Sequence, residues 1–308
     1  MTSTATTPTD APECQPLAPF VRPLVATDAT SAADGAVRLG AALAARDGAS
    51  LSAISVVEPA PYPMPVNDLA MSPTSIPSAE EAACAARAEA VRAQYARIGL
   101  TVPDDLFVEC SVPLSGILFR ATARKSDLII LGLGRHKAVD RLFGTETALH
   151  AVREADITTL AVPHGMTELP RYAIVGTDFD ASSLAAVKAA ARLVGPTGRI
   201  TLVHVDPLVD PIPSMLADWP PHVLDRLNDA FTRMLRQLAL PDTMDIDTVP
   251  LTGNVGKELV AFAGRVHADV IVVGRHQRSL VERVVLGSTA TRVVRTATSA
   301  VMVVPRCS

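Results

Sequence analysis

The chain has 308 residues, enough for two ordinary domains, and is 48% hydrophobic but only 4% aromatic, with a formal net charge of −4. An interior drawn from Ala, Val, Leu and Ile favours close-packed parallel strands and helices over a surface of stacking rings. The slight negative charge excludes a broad electrostatic attraction to nucleic acid or anionic membrane, and the scattered Cys14, Cys84, Cys110 and Cys307, with no Cys-x-x-Cys pair, suggest neither a disulfide framework nor a zinc site.

Residues 1–19 are rich in Thr, Pro and Ala, without the basic start and apolar run of a secretory signal, and are predicted as a disordered tail. No segment approaches the roughly 20 apolar residues needed to cross a bilayer, so a soluble cytoplasmic protein is the expectation. The first half then opens with a short apolar strand over 23–27, Asp28, and an Ala-rich helical pattern from about Ala32 to Arg46. A second strand follows over 51–57. From Glu58 to Pro77 the density of proline forbids regular helix and central strand alike. Helix is predicted to resume at Ser78, read as a cap with Glu81 three residues on, and to run to about Ile98. Strand 106–110, a helix after Pro113, strand 128–131, a helix after Thr145 and strand 159–162 complete the unit.

The second half repeats that order. It runs through strand 172–177, Asp178, a helix from Ser182, strand 200–205, a proline-rich loop over 206–221, helix 223–240, strand 246–251, helix 255–266, strand 270–273, a helix from Ser288 and strand 300–304. The copies match in detail. Asp127-Leu-Ile-Ile-Leu-Gly132 leads into Arg135-His136, as Asp269-Val-Ile-Val-Val-Gly274 leads into Arg275-His276, and Gly144-Thr145 answers Gly287-Ser288. Gly274 minus Gly132 is 142, Gly287 minus Gly144 is 143, and Pro305 minus Pro163 is 142, which marks an internal duplication. Apolar strands alternating with helices predict an α/β protein of two doubly wound, five-stranded parallel sheets. Residues 20–165 form one domain and 166–308 the other, each with its ligand crevice at the carboxyl ends of the strands.

In the second half Gly274 ends a strand, where a missing side chain lets backbone amides approach a ligand, and Gly287 precedes the last helix. The free amides and dipole of that helix favour negative charge, and Ser288 and Thr289 add hydroxyl donors, so the loop reads as a cradle for a polyphosphate. Plain turn chemistry, with Ser288 capping a helix and nothing bound, is the alternative for these residues taken singly.

Gly274, two residues, Gln277, nine residues, Gly287 and Ser288 resemble the loop of the universal stress proteins in their tandem two-domain form. That loop reads Gly, two residues, Gly, nine residues, Gly, then Ser or Thr. The likeness extends to the Asp after each first strand, to His204-Val-Asp-Pro207 and to the terminal Val-Met-Val-Val-Pro305. It implies a Rossmann-like fold of the adenine nucleotide alpha-hydrolase kind, packed as a pseudo-dimer with self-association through the last strands. It also implies ATP binding, with Mg in attendance, and regulation more than turnover. By that likeness Asp178 stands near adenosine, the backbone at Val205 meets the adenine edge, and Gly274, Gly287, Ser288 and Thr289 hold ribose and phosphates. Gln277 stands where the family has its second glycine, and its side chain crowds the phosphate path. The first half matches less well. Asp28, Val57, Gly132, Gly144 and Thr145 agree, but Arg135 occupies the second glycine position and the loop is one residue shorter.

Other signals are set aside. Gly256-Lys257-Glu258 lacks the first glycine and the metal-binding hydroxyl of a phosphate-binding lysine loop, and Gly132-Leu-Gly134 lacks the third glycine of a dinucleotide fingerprint. His136 and His276 occupy equivalent loop places, and His204 reads as a hydrogen-bonded core histidine. Asp28 and Asp178 suit helix capping as well as ligand contact. No nucleophile with a neighbouring base is visible. The expectation is therefore an ATP-binding regulatory or protective module of the stress response, with an unidentified protein partner. A scaffold of the same fold that binds no nucleotide, and a slow ATPase, are the alternatives.

Overall fold

The computed structural model describes residues 18–59, 76–133, 145–207, 221–275 and 288–305. In the first half these form β1 (Pro23–Ala26), α1 (Asp34–Asp47), β2 (Ser52–Val57), α2 (Ile76–Arg97), β3 (Asp105–Cys110), α3 (Pro113–Ala123), β4 (Leu128–Leu133), α4 (Thr145–Glu154) and β5 (Thr159–Pro163). The second half repeats the series as β6 (Tyr172–Gly176), α5 (Ala181–Val194), β7 (Arg199–Asp206), α6 (Pro221–Leu238), β8 (Asp245–Thr252), α7 (Val255–Arg265), β9 (Val270–Gly274), α8 (Ser288–Thr296) and β10 (Ala300–Val304). The predicted elements are all present. Most boundaries shift by a residue or two, and one shift changes a predicted role: α2 begins at Ile76 with Pro77 inside its first turn, so Ser78 lies within the helix and is not its cap. Proline is well placed there, since its missing N–H falls among the first-turn amides that have no helical acceptor.

Local rules account for the elements. Four successive residues of β4, Leu128 to Leu131, are buried because helices cover both faces of the sheet. On α6 the buried Phe231, Met234 and Leu238 recur at helical spacing, with half-buried Leu227 and Leu235 beside them on the core-facing stripe. Helix α1 stops at Gly48, whose φ of 64° supplies the left-handed turn that other residues adopt only at a steric cost.

Strand order is β3-β2-β1-β4-β5 in the first half and β10-β9-β6-β7-β8 in the second. All pairs within each half are parallel. The halves join through an antiparallel pair, Val301 opposite Ala161, Met302 opposite Leu160 and Val303 opposite Thr159, making one ten-stranded sheet. The two last strands thus meet inside the chain. Each has a second neighbour as well, so the sheet's outer strands are β3 and β8.

The sheet separates two cores, each running unbroken across both halves. Residues such as Val25, Ile130, Val272 and Met302 face α1, α2, α5 and α6. Their neighbours Leu24, Ile129, Ile271 and Val301 face α3, α4, α7 and α8. Polar contacts add to the seam. Arg46 donates to the carbonyls of Leu193 and Arg192 at 2.6 and 2.7 Å, capping the end of α5 from the first half. Arg192 reaches back to the carboxylate of Asp127 at 3.2 Å and the carbonyl of Pro19 at 2.9 Å, with its guanidinium 3.9 Å above the ring of Phe20.

Candidate functional site

In each half the strand order reverses between the first and fourth strands, and this is where open α/β sheets leave a crevice at the carboxyl ends. The pairing of Val175 with Val272 continues two residues on to set Thr177-Asp178 beside Gly274. In the first half Ala26 pairs with Leu131, so Thr27-Asp28 stands beside Gly132. Both copies thus bring the predicted aspartate and glycine to one mouth. Gln277, Gly287 and Gly144 lie outside the described residues, as do His136 and His276; for Ser288 and Thr145 the structure describes only their place as the first residues of α8 and α4. Thr289 is half-buried in the first turn of α8.

The turn after β6 is held by its own side chains. Phe179 has a φ of 66°, as Ala29 has 65° in the first half, so both copies make the same left-handed bend directly after the aspartate. Asp178 Oδ1 accepts the Ser183 hydroxyl at 2.7 Å, and the Asp178 N–H donates to Ser183 Oγ at 3.1 Å. The cap of α5 is a different residue: Asp180 accepts the N–H of Ser183 at 2.7 Å and the Ser182 hydroxyl at 2.9 Å. Burial works against its ionisation, but these hydrogen bonds outweigh that cost and hold the Asp180 carboxyl at about 2. Capping therefore falls to Asp180, and Asp178 sits exposed at the crevice mouth. The corresponding Asp28 accepts from the N–H and hydroxyl of Thr30 at 3.0 and 2.7 Å, while Thr30 caps the short 3-10 turn that leads into α1.

Sheet register shows which backbone groups of β7 and β2 face the crevice. Thr177 N–H donates to the Val203 carbonyl at 2.9 Å. Backbone groups alternate sides along a strand, so those of Val205 point the same way, past the end of β6 and over the crevice. In the first half Thr27 N–H donates to the Ile54 carbonyl at 2.9 Å, which makes Val56 the counterpart of Val205. Val57, predicted for that place, is displaced by one residue: its carbonyl accepts from Ser111 on the β3 side, as that of Asp206 accepts from Gly253 on the β8 side. A slip of one position in a strand reverses the direction of every group. Only pairing reveals it here, because Val56 and Val57 are the same residue type.

The glycines have a packing reason of their own. A Cβ on Gly274 would lie 2.8 Å from the carbonyl oxygen of Ser182, and one on Gly132 would lie 3.0 Å from that of Ala32. Helix and strand backbones approach so closely there that no side chain fits between them.

Beneath the two mouths the supports differ, and composition gave no sign of this. In the first half Thr27 Oγ1 donates to Gln94 Oε1 at 2.7 Å, and Gln94 Nε2 donates to the Thr30 carbonyl at 2.9 Å and to Asp34 Oδ1 at 2.8 Å. Arg97 grips Asp34 with two bonds of 2.7 and 2.9 Å. Burial opposes charge on Asp34, yet the Arg97 and Gln94 hydrogen bonds draw its carboxyl below the usual range. Arg87 donates to the Asp28 carbonyl at 2.6 Å from above. In the second half Met234 stands where Gln94 does, 3.4 Å from the Thr177 hydroxyl, and Phe179 packs with centroids 4.9 Å from both His204 and Phe231. His204 Nδ1 bonds the Thr177 carbonyl at 2.9 Å, so the predicted hydrogen bond is present, but the ring is half-buried and not within the core.

Two cavities are described. One of about 20 Å³ lies inside the first-half mouth between Asp28, Gly132, Ile117 and Thr147, with room for a single water. The larger, about 820 Å³, is not at the second-half mouth but at the seam, where Pro163 at the end of β5 and the following His164 share its lining with His267, Thr298 and Ser299 before β9 and β10.

A duplicated, doubly wound α/β chain with aspartate and glycine converging at each switch point defines a class of tandem Rossmann-like proteins. The sequence model of the Universal stress protein family matches residues 21–163 and again 171–305. The chain belongs to the universal stress protein family, in a tandem two-domain arrangement. Among solved structures, a universal stress protein from Archaeoglobus fulgidus DSM 4304 is similar with a TM-score of 0.56 and 16% identity over 92% of this chain and 96% of its own. A functionally unknown protein from Pseudomonas aeruginosa PAO1 gives 0.60 and 16%, covering 93% of each chain. A putative universal stress protein from Pseudomonas aeruginosa UCBPP-PA14 gives 0.59 and 15%, again over 93% of both. No curated protein matches the chain. Among the described residues no helix is long and apolar enough to cross a membrane.

Proposed function

We propose that the second half binds an adenine nucleotide, ATP with Mg, and that the chain acts as a nucleotide-responsive regulatory or protective module in the cytoplasm. The observation that carries this reading is the convergence of exposed Asp178, the crevice-facing backbone of Val205 and the end of β9 at Gly274 at one mouth of the sheet. Asp178 and Val205 would meet the base and ribose. Gly274, Ser288 and Thr289, with Gln277 and Gly287, would hold phosphates, the amides at the start of α8 favouring their charge. Bound ATP would supply a triphosphate, and a difference in affinity between two states of the chain would let its presence or absence shift their balance. The second-half turn is the better candidate, because the first-half cavity holds about one water and Arg87 covers the carbonyl of Asp28.

Thermal unfolding of the full chain with and without Mg-ATP tests the proposal. A saturable rise in Tm is expected, because a ligand that binds only the native state stabilises it. Asp178→Ala should weaken the rise while leaving the Tm without nucleotide within a few degrees. No rise at millimolar Mg-ATP would end the reading in favour of a scaffold that binds no nucleotide. That alternative draws on one observation: packing against Ser182 and Ala32 alone explains why Gly274 and Gly132 are glycines.

A further inference from the structure

Two cysteines set aside as scattered in the sequence come onto one face of the fold. Strand β3 alternates: Asp105, Phe107 and Glu109 face α3, where Asp105 pairs with Arg124, Glu109 with Arg120, and Phe107 lies 4.0 Å below the Arg120 guanidinium. Its alternate residues Leu106, Val108 and Cys110 therefore face the opposite core, and Leu106 packs there with residues of α2 such as Val91 and Tyr95. Helix α2 presents to that core the stripe Cys84, Arg87, Ala88, Val91, Gln94 and Tyr95, all at least partly buried and spaced by threes and fours. A crossover helix runs antiparallel to the strands it connects, so the early turns of α2 pass the carboxyl end of β3. Cys84 is on those turns and Cys110 is the last residue of β3.

We propose that Cys84 and Cys110 form a reversible disulfide under oxidising stress, a covalent tie between α2 and the edge strand β3. With hydrogen peroxide as oxidant, one thiol gives up its proton and the thiolate attacks a peroxide oxygen; the O–O bond breaks, the leaving hydroxide takes up that proton as water, and a sulfenic acid remains. The second thiol ionises in turn and its thiolate attacks the sulfenic sulfur; the S–O bond breaks and the leaving hydroxide takes up the second proton as water. Two thiols are oxidised and one peroxide is reduced to two waters. A dithiol reductant reverses the link by exchange.

Both thiols are half-buried and free in the structure described here. Burial, with the Glu80 carboxylate and Cys84 close by, pushes the Cys110 thiol up, so Cys110 is the resolving sulfur and Cys84 the one that meets peroxide. Closure should quicken as pH rises and more Cys110 becomes thiolate. The tie also bears on the first-half mouth. Arg87, less than one turn beyond Cys84, is the residue whose guanidinium reaches the Asp28 carbonyl at 2.6 Å, and the bridge would anchor that turn of helix.

The experiment uses the full chain carrying Cys14→Ser and Cys307→Ser, treated with hydrogen peroxide, alkylated and mapped by peptide mass spectrometry. Expected are the joint loss of both thiols, a mass lower by two hydrogens, a linked peptide joining Cys84 to Cys110 in monomeric protein, and recovery of both thiols with dithiothreitol. Adding Cys110→Ser should leave Cys84 as a sulfenic acid that a carbon nucleophile traps. The proposal is overturned if peroxide leaves both thiols alkylatable, if the link forms only between chains, or if each sulfur is oxidised separately without a bridge. None of these readouts depends on nucleotide binding.

Discussion

The carbonyl oxygen of Ser182 lies 2.8 Å from where a Cβ on Gly274 would be, so the start of α5 and the end of β9 touch backbone to backbone. Ala32 and Gly132 repeat the contact in the first half at 3.0 Å. The glycine that marks the crevice in the sequence is therefore also a packing element. Substitution there perturbs the scaffold before it perturbs any ligand.

Gly274→Ala should destabilise the chain by about 1–3 kcal/mol, the usual cost of overpacking, because the obstacle is backbone and cannot swing aside. Gly165→Ala is the matched control, since nothing lies within 4 Å of an added Cβ there. Urea unfolding midpoints of the two variants decide the matter. Equal midpoints would show that the helix yields without cost.

Gln94→Met copies the second half's solution into the first and should fail. It removes both amide bonds from the Thr30 carbonyl and Asp34, and leaves the buried Thr27 hydroxyl with a weak sulfur acceptor. A loss of about 1–3 kcal/mol is expected from leaving buried polar groups unpaired. The reciprocal Met234→Gln should also destabilise, for the second half has no acidic partner in place of Asp34: Leu184 stands there. Calorimetric unfolding of both variants measures the asymmetry.

Asp180→Asn should cost about 1 kcal/mol at pH 7, because the charged carboxylate caps α5 better than an amide and favours the helix dipole. The sign with pH is fixed by the direction of the shift. The folded carboxyl is held at about 2, below its ordinary 3.8, so its contribution is fully present above the higher value and disappears as pH falls through the lower. The difference between wild type and variant should shrink from pH 4 to pH 2. A difference that stayed constant through that window would refute the capping role.

Tyr95→Phe should be neutral or slightly stabilising. The ring is fully buried and its hydroxyl has no hydrogen-bond partner among the described residues, which pushes the phenol upward through burial. Deleting an unsatisfied buried hydroxyl removes a desolvation cost and leaves the packing of the ring in place. A clear drop in Tm would show that the hydroxyl is bonded in solution.

Much of the fold was legible beforehand because its signals are local. Runs such as Leu128-Ile-Ile-Leu131 mark a strand covered on both faces, proline density marks the loops after β2 and β7, and the repeat at a spacing of 142 residues marks two copies of one unit. The positions of Asp28, Asp178, Gly132 and Gly274 at or just past the carboxyl ends of strands were also legible locally, since each follows or closes an apolar run. Arg87 and Gln94 were not, because they act across 59 to 67 positions from a helix beyond a long loop, and nothing in their own neighbourhood says what they reach.

The amino-acid sequence by itself thus determined two doubly wound units, the order of their elements and the mouths at which a ligand would enter, because side-chain periodicity and backbone freedom act over a few neighbouring residues. Only the tertiary structure decided that β5 and β10 fuse ten strands into one sheet and that Val56, not Val57, answers Val205. It likewise decided that Asp180 caps α5 and that Cys84 and Cys110 share a face. Those outcomes depend on register and on long-range packing, where one residue of slip reverses direction and no local pattern records the partner.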